Sequence, residues 1–130
     1  MVVYKQANTP GIRDSDAEIN VDSITIPHWP AATTGAPGYD GHADIVDFAA
    51  NRVYSFYQLI LDSTTNRWSA QSLSWSPLNG SGWGDPAHYF QGARAAAVPP
   101  SAGMIRLSDA DDGKERFEHA LACSLDYTAL

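Results

Sequence analysis

The chain has 130 residues, of which 44% are hydrophobic and 18% charged, and a formal net charge of −7. That length suits one well-cored domain and not two, while the negative charge, with no basic cluster to offset it, sets the chain against phosphate backbones and so against nucleic acid. A single cysteine, Cys123, excludes an internal disulfide framework or a multi-thiolate zinc site, and the apolar runs all fall short of the ~18 residues of a membrane span.

The first strand candidate is Val2 to Tyr4. A polar connection with Pro10 and Gly11 follows, so residues 1–16, which lack the basic and apolar runs of a secretory signal, read as an extended arm able to lie across a neighbouring subunit and add a strand to its sheet edge. The next strand is expected over residues 18–26, where Ile19, Val21, Ile24 and Ile26 are apolar and the alternation breaks once at Asp22-Ser23, as at a bulge. Pro27 stops it. From Pro27 to Gly41, three prolines and three glycines surround Trp29 and Tyr39, the composition of an extended, ordered loop.

The clearest signal follows, with strands expected over residues 42–48, 52–61 and 67–75 and turns at 49–51 and 62–66, a β-meander. In the middle strand Val53, Ser55, Tyr57, Leu59 and Leu61 fall on one face, and Tyr54, Phe56, Gln58 and Ile60 on the other. Both faces are largely apolar, so the strand is expected to be central and covered on each side. The stretch from Ser76 to Gly84 is a glycine-rich loop carrying Trp83 between Gly82 and Gly84. Asp85-Pro86 suits an N-cap and first helical position for a short helix over residues 87–97, ended by Pro99-Pro100. A second helical turn is expected over 108–112, capped by Ser108 and stopped by Gly113. Residues 115–125 are expected to close the fold as a strand, although Phe117, Ala120, Leu121 and Ser124 also fit one helix face. The expected fold is all-β with minor α: one domain over residues 1–130, a β-sandwich of jelly-roll type with one or two short helices.

Short motifs recur through most of the chain: Ile26-Pro27 before a loop, Asp40-Gly41-His42 opening a strand, Tyr54 to Tyr57, Trp68-Ser69-Ala70, Gly80 to Gly84, Gly103 to Arg106, and His119-Ala120-Leu121. In these the chain resembles a β-domain pattern of bacterial extracellular and phage-associated proteins. The resemblance implies a β fold and an extracellular or virion setting, and it implies no particular reaction.

His42 and Asp44, two apart on one strand face, are able to orient an imidazole for proton transfer or to supply two ligands to a cation. The structural reading ranks ahead of both, with His42 bonded to a carbonyl and Asp44 solvated. A polysaccharide lyase needs a base, a proton donor and a group that stabilises charge on a uronate. If the chain is an enzyme, His42, His119, Tyr57 and Arg106 are the residues of those types. Serine or cysteine hydrolysis is disfavoured, because the Gly-x-Ser-x-Gly elbow is missing and Cys123 sits in an apolar run. For sugar binding the candidates are the aromatic faces of Trp83, Tyr39, Trp29 and Tyr89, with Trp83 either open in its glycine loop or folded inward as a plug. Asp109, Asp111 and Asp112 crowd carboxylates without the register of a calcium loop, so no metal and no cofactor is expected.

The leading functional expectation is a structural or binding module of a virion or an extracellular or cell-surface assembly, contacting neighbouring subunits and surface glycans, with no membrane insertion. The alternative is a carbohydrate-active enzyme, lyase or hydrolase, with His42 and His119 at one site. A cleft holding both histidines, a tyrosine and Arg106 is what the alternative requires.

Overall fold

The computed structural model describes residues 1–6, 23–79, 99 and 101–121. The chain divides into two compact units, Met1–Pro100 and Ser101–Leu130. The described residues are mostly β, in two sheets, with one short helix. In the first unit the strands are β1 (Val2–Lys5), β2 (Ser23–Thr25), β3 (Ala43–Asp47), β4 (Arg52–Tyr57), β5 (Ile60–Asp62), β6 (Arg67–Ala70) and β7 (Ser72–Pro77). One sheet has the order β2-β1-β6-β5 and the other β3-β4-β7.

The expected meander is present, but its two long strands are each divided between the sheets. The strand expected over 52–61 breaks at Gln58-Leu59 into β4 and β5, and the one over 67–75 breaks at Gln71 into β6 and β7. The pairing register runs through the break unchanged: Tyr57 faces Ser72 on one side of it and Ile60 faces Ser69 on the other. A single hairpin therefore folds over from one sheet into the next, as strands do at the corners of packed sheets.

The bend is made by Gln58, whose φ of 53° lies in the left-handed region that a residue with a long side chain rarely adopts. Four hydrogen bonds hold it there. Gln58 N–H donates to the Asp40 carbonyl at 2.8 Å and Leu59 N–H to that of Gly41 at 3.0 Å. The Gln58 amide Nε2 donates to the Tyr39 carbonyl at 3.2 Å, and the Gln58 carbonyl accepts from Gln6 Nε2 at 3.1 Å. The bend also corrects the expected facing of the strand: beyond it Leu59 joins the core beside Tyr54 and Phe56, while Ile60 and Leu61 are exposed.

Among the described residues the other two left-handed non-glycine positions are Asn51 and Asn66, in the hairpin turns, where the short amide side chain tolerates that conformation. Asp62 braces the second turn, its carboxylate accepting from Thr64 N–H at 2.9 Å and from the Thr65 hydroxyl at 2.6 Å.

Residues 2–5 of the segment expected to be an arm form β1, an inner strand of this chain's own sheet, antiparallel to β2 and parallel to β6. Residues 7–16, and the first part of the strand expected over 18–26, lie outside the described residues. Buried side chains from both sheets form one cluster, with Val3, Ile24 and Trp68 from the first and Ile45, Phe56 and Leu73 from the second. Each such side chain contributes about 1.5–3 kcal/mol on burial.

In the second unit the helix α1 spans Leu107–Ala110 rather than 108–112. It starts one residue early because the Asp109 carboxylate, not the Ser108 hydroxyl, ties its amino end, accepting from Arg106 N–H at 2.7 Å. The strand expected from residue 115 is absent over the described residues 115–121. Polar contacts occupy that stretch instead: Lys114 pairs with Glu118 four residues on, and His119 reaches back to Asp109 at 3.3 Å. Phe117 and Leu121 stay exposed, so no apolar face is buried that would hold a strand against a sheet. The remainder of that segment and the helix expected over 87–97 lie outside the described residues.

Candidate functional site

A cavity of about 490 Å³ opens where the loop before β3 meets the bend, bounded by residues between Thr34 and Gly41 and by Gln58 to Leu61. The loop holds its shape through short bonds, with the Thr33 hydroxyl donating to the Pro30 carbonyl at 2.7 Å and Ala36 N–H to that of His42 at 2.8 Å. Two glycines let this loop touch the backbone of the bend. A Cβ on Gly35 would stand 2.8 Å from the Leu59 carbonyl oxygen and 2.9 Å from that of Gly41, and Gly41 itself has φ +48° with Gln58 Cα 3.2 Å from where its Cβ would be. The lining also takes in Ile60 and Leu61 of β5. Tyr39 stands at this cavity with 76% of its surface exposed. No charged side chain lines the cavity among the described residues.

A second cluster lies on the face of β3-β4-β7 opposite Tyr54 and Phe56. His42 precedes β3 and packs its ring 5.2 Å from that of Tyr57, while its Nδ1 donates to the Phe56 carbonyl at 3.2 Å. In that tautomer Nε2 carries a lone pair. Burial raises the Tyr57 phenol above its ordinary pKa, and the nearby Asp40 and Tyr39 add to the effect, so Tyr57 stays protonated. The same face continues with Asp44 opposite Ser55, and Ser55 opposite Ser74. The hydroxyls of Ser55, Ser72 and Ser74 are buried without a hydrogen-bond partner among the described residues.

An unpartnered buried hydroxyl costs about 1–3 kcal/mol of desolvation. Ser74→Ala is accordingly expected to match or exceed the wild-type stability, by up to ~1 kcal/mol on the same principle. Urea titration checks this; a clear loss of stability would mean that the hydroxyl has a partner.

A third arrangement escaped the sequence reading. Asp47, at the end of β3, has a side chain only 1% exposed, and His28 lays Nδ1 against its two oxygens at 3.0 and 2.9 Å while keeping 62% of its own side chain exposed. Asp47 Oδ1 also accepts Ala50 N–H at 2.9 Å. That turn bond first, and the His28 imidazole after it, hold the Asp47 carboxyl below the usual carboxylate pKa. The turn bond was legible, since an aspartate before Phe48-Ala49-Ala50-Asn51 suits a side-chain-braced turn. Its partner is 19 positions upstream and left no local signal.

A carboxylate with a lowered folded pKa contributes stability above its unfolded pKa of about 3.8–3.9, and loses it as pH falls through the folded value. Stability is therefore expected to drop on acidification below about pH 4, and Asp47→Asn, less stable at neutral pH, is expected to show a shallower drop. Urea midpoints measured across that range test this. Parallel curves for the two proteins would remove Asp47 from the acid response.

Of the residues expected to be catalytic, His42 and Tyr57 lie side by side in the first unit. His119 and Arg106 belong to the second, both joined to Asp109: His119 Nε2 at 3.3 Å and the Arg106 main chain at 2.7 Å. The Ala120 carbonyl and then Asp109 raise the His119 pKa. Of the residues expected to stack on sugars, Tyr39 is open at the cavity, whereas Trp29 packs on the core, 6.5 Å from Phe56 and 5.1 Å from Trp68. Trp83 and Tyr89 lie outside the described residues. Among the described residues no three metal-ligating side chains gather. Comparison with protein-family models, curated proteins and solved structures finds no match to this chain.

Proposed function

We propose that this chain is a binding module that recognises surface glycans through the Tyr39 cavity, in the setting of a virion or an extracellular or cell-surface assembly. The observation that carries the reading is the exposed Tyr39 ring beside a cavity lined by its own loop, Gln58 and residues of β5. An aromatic face stacks on the CH face of a pyranose, and fixed polar groups around it accept the hydroxyls. The left-handed Gln58 adds support, because backbone held in a sparsely populated region by several bonds gathers at ligand-binding sites. Assembly is supported by the exposed Ile60 and Leu61 on β5, an outer strand of its sheet among the described residues, since such edges pair with neighbouring chains. In this reading the two sheets close as a β-sandwich. Its jelly-roll type is supported by the hairpin that turns the corner between sheets, while the parallel β1 and β6 pair departs from it.

Tyr39→Ala is expected to keep the fold and weaken glycan binding roughly tenfold, the value of about 1.4 kcal/mol of stacking. Affinity electrophoresis in gels containing neutral or acidic polysaccharides reads the change, and equal retardation of both proteins would sink the reading. Light scattering gives the assembly state; a monomer at every concentration would remove self-association.

A carbohydrate-active enzyme is the second reading, favoured by one observation: a protonated Tyr57 phenol beside a His42 imidazole whose Nε2 is free to take a proton. Shortening of a polyuronate with growth of unsaturated-uronate absorbance, lost in His42→Ala, is the result it requires.

A further inference from the structure

We infer that the ligand of the Tyr39 cavity is an uncharged, hydroxyl-rich sugar and not a uronate or other anionic glycan; this rests on the glycan-binding reading and narrows it. A bound anion needs a cation or a set of aimed donors to replace its lost hydration. Among the described residues that line the cavity none has a charged side chain. Several of its donors are already engaged. The donors of Ala36, Gln58 and Leu59 main chain are spent on the carbonyls of His42, Asp40 and Gly41, and the Thr34 hydroxyl is spent on that of Gly35 at 3.3 Å. The Gln58 amide nitrogen gives one of its two hydrogens to the Tyr39 carbonyl, and its oxygen is an acceptor. Carbonyl oxygens keep a second lone pair after accepting one bond. These acceptors match the hydroxyl donors that a neutral pyranose brings.

Charge points the same way. Asp40 sits between Tyr39 and Gly41, and its negative charge acts on Tyr57. The chain as a whole carries −7. A uronate approaching Tyr39 meets repulsion with no compensating cation among the described lining residues, whereas a neutral sugar does not.

Calorimetry of the full chain with neutral hexasaccharides (glucan, mannan and galactan series) and with an oligogalacturonide of the same length, at low and at physiological salt, tests this. The expected result is binding of at least one neutral series, at least tenfold tighter than the uronate, weakened by Tyr39→Ala, with the uronate gaining affinity in Asp40→Asn. Uronate binding that equals or exceeds the neutral series and still depends on Tyr39 would overturn the neutral-sugar inference and leave the cavity as a glycan site. Binding of every saccharide that ignores Tyr39→Ala, or no binding at all, would overturn both.

Discussion

Phe56→Ala is expected to remove about 3–5 kcal/mol of stability, the usual cost of emptying a buried phenylalanine site. Phe56 is 0% exposed and lies on β4, the middle strand of its sheet, where it faces Leu73 across the register and meets the edge of Trp29. Its ring joins the one cluster to which both sheets contribute, so the cavity left behind loosens the contact between them. Since a domain of this size holds only about 5–15 kcal/mol in total, the variant is expected to be partly unfolded at 37 °C. Phe48→Ala is the control. Phe48 is 84% exposed, so its loss is expected to stay within about 0.5 kcal/mol. Urea unfolding of the two variants side by side decides the matter; equal midpoints would mean that Phe56 is not in a common core.

Gly35→Ala is expected to cost about 1–3 kcal/mol, the range for forcing atoms into a packed place, and to abolish binding at the Tyr39 cavity. The added methyl would meet the main-chain oxygens of Leu59 and Gly41 at 2.8 and 2.9 Å. Neither belongs to a flexible side chain that could swing away, so the loop must lift from the bend, and the bonds from Asp40 and Gly41 to Gln58 and Leu59 stretch with it. Without those bonds the left-handed Gln58 loses its support. Thermal melting gives the stability loss, and calorimetry with a neutral oligosaccharide the loss of binding. A variant that melts and binds as the wild type does would show that loop and bend are not in contact.

The meander was legible because its signals are local: alternating apolar residues, and asparagines in the turns at Asn51 and Asn66. The hairpin turn before Arg52 also fixes the register, so the pairing of His42 with Tyr57 follows from counting back along the strands. The bend was not legible. Gln58 and Gln71 look like ordinary strand residues, and what turns the chain is a set of bonds from Asp40, Gly41 and Gln6, remote in sequence. The parallel pairing of β1 with β6 is hidden for the same reason, since it joins Val3 to Trp68 with no local mark.

Of the site, the sequence offered Tyr39 by its residue type as one of several aromatic candidates, behind Trp83. It missed Gln58, whose part in the cavity exists only after the bend has formed. It also missed His28, because a histidine between proline and tryptophan carries no signal of the buried Asp47 it meets. Trp29 was misleading: its place in the loop suggested an open stacking face, but the apolar pull of Trp68 and Phe56 turns it onto the core.

The measurement that bears most directly on the Tyr39 cavity is the change in backbone amide NMR shifts as a neutral oligosaccharide is added. The expected shifts gather at Thr34 to Gly41 and Gln58 to Leu61 and vanish in Tyr39→Ala. Shifts centred instead on His42, Asp44 and Tyr57 would contradict the binding module and favour the enzyme.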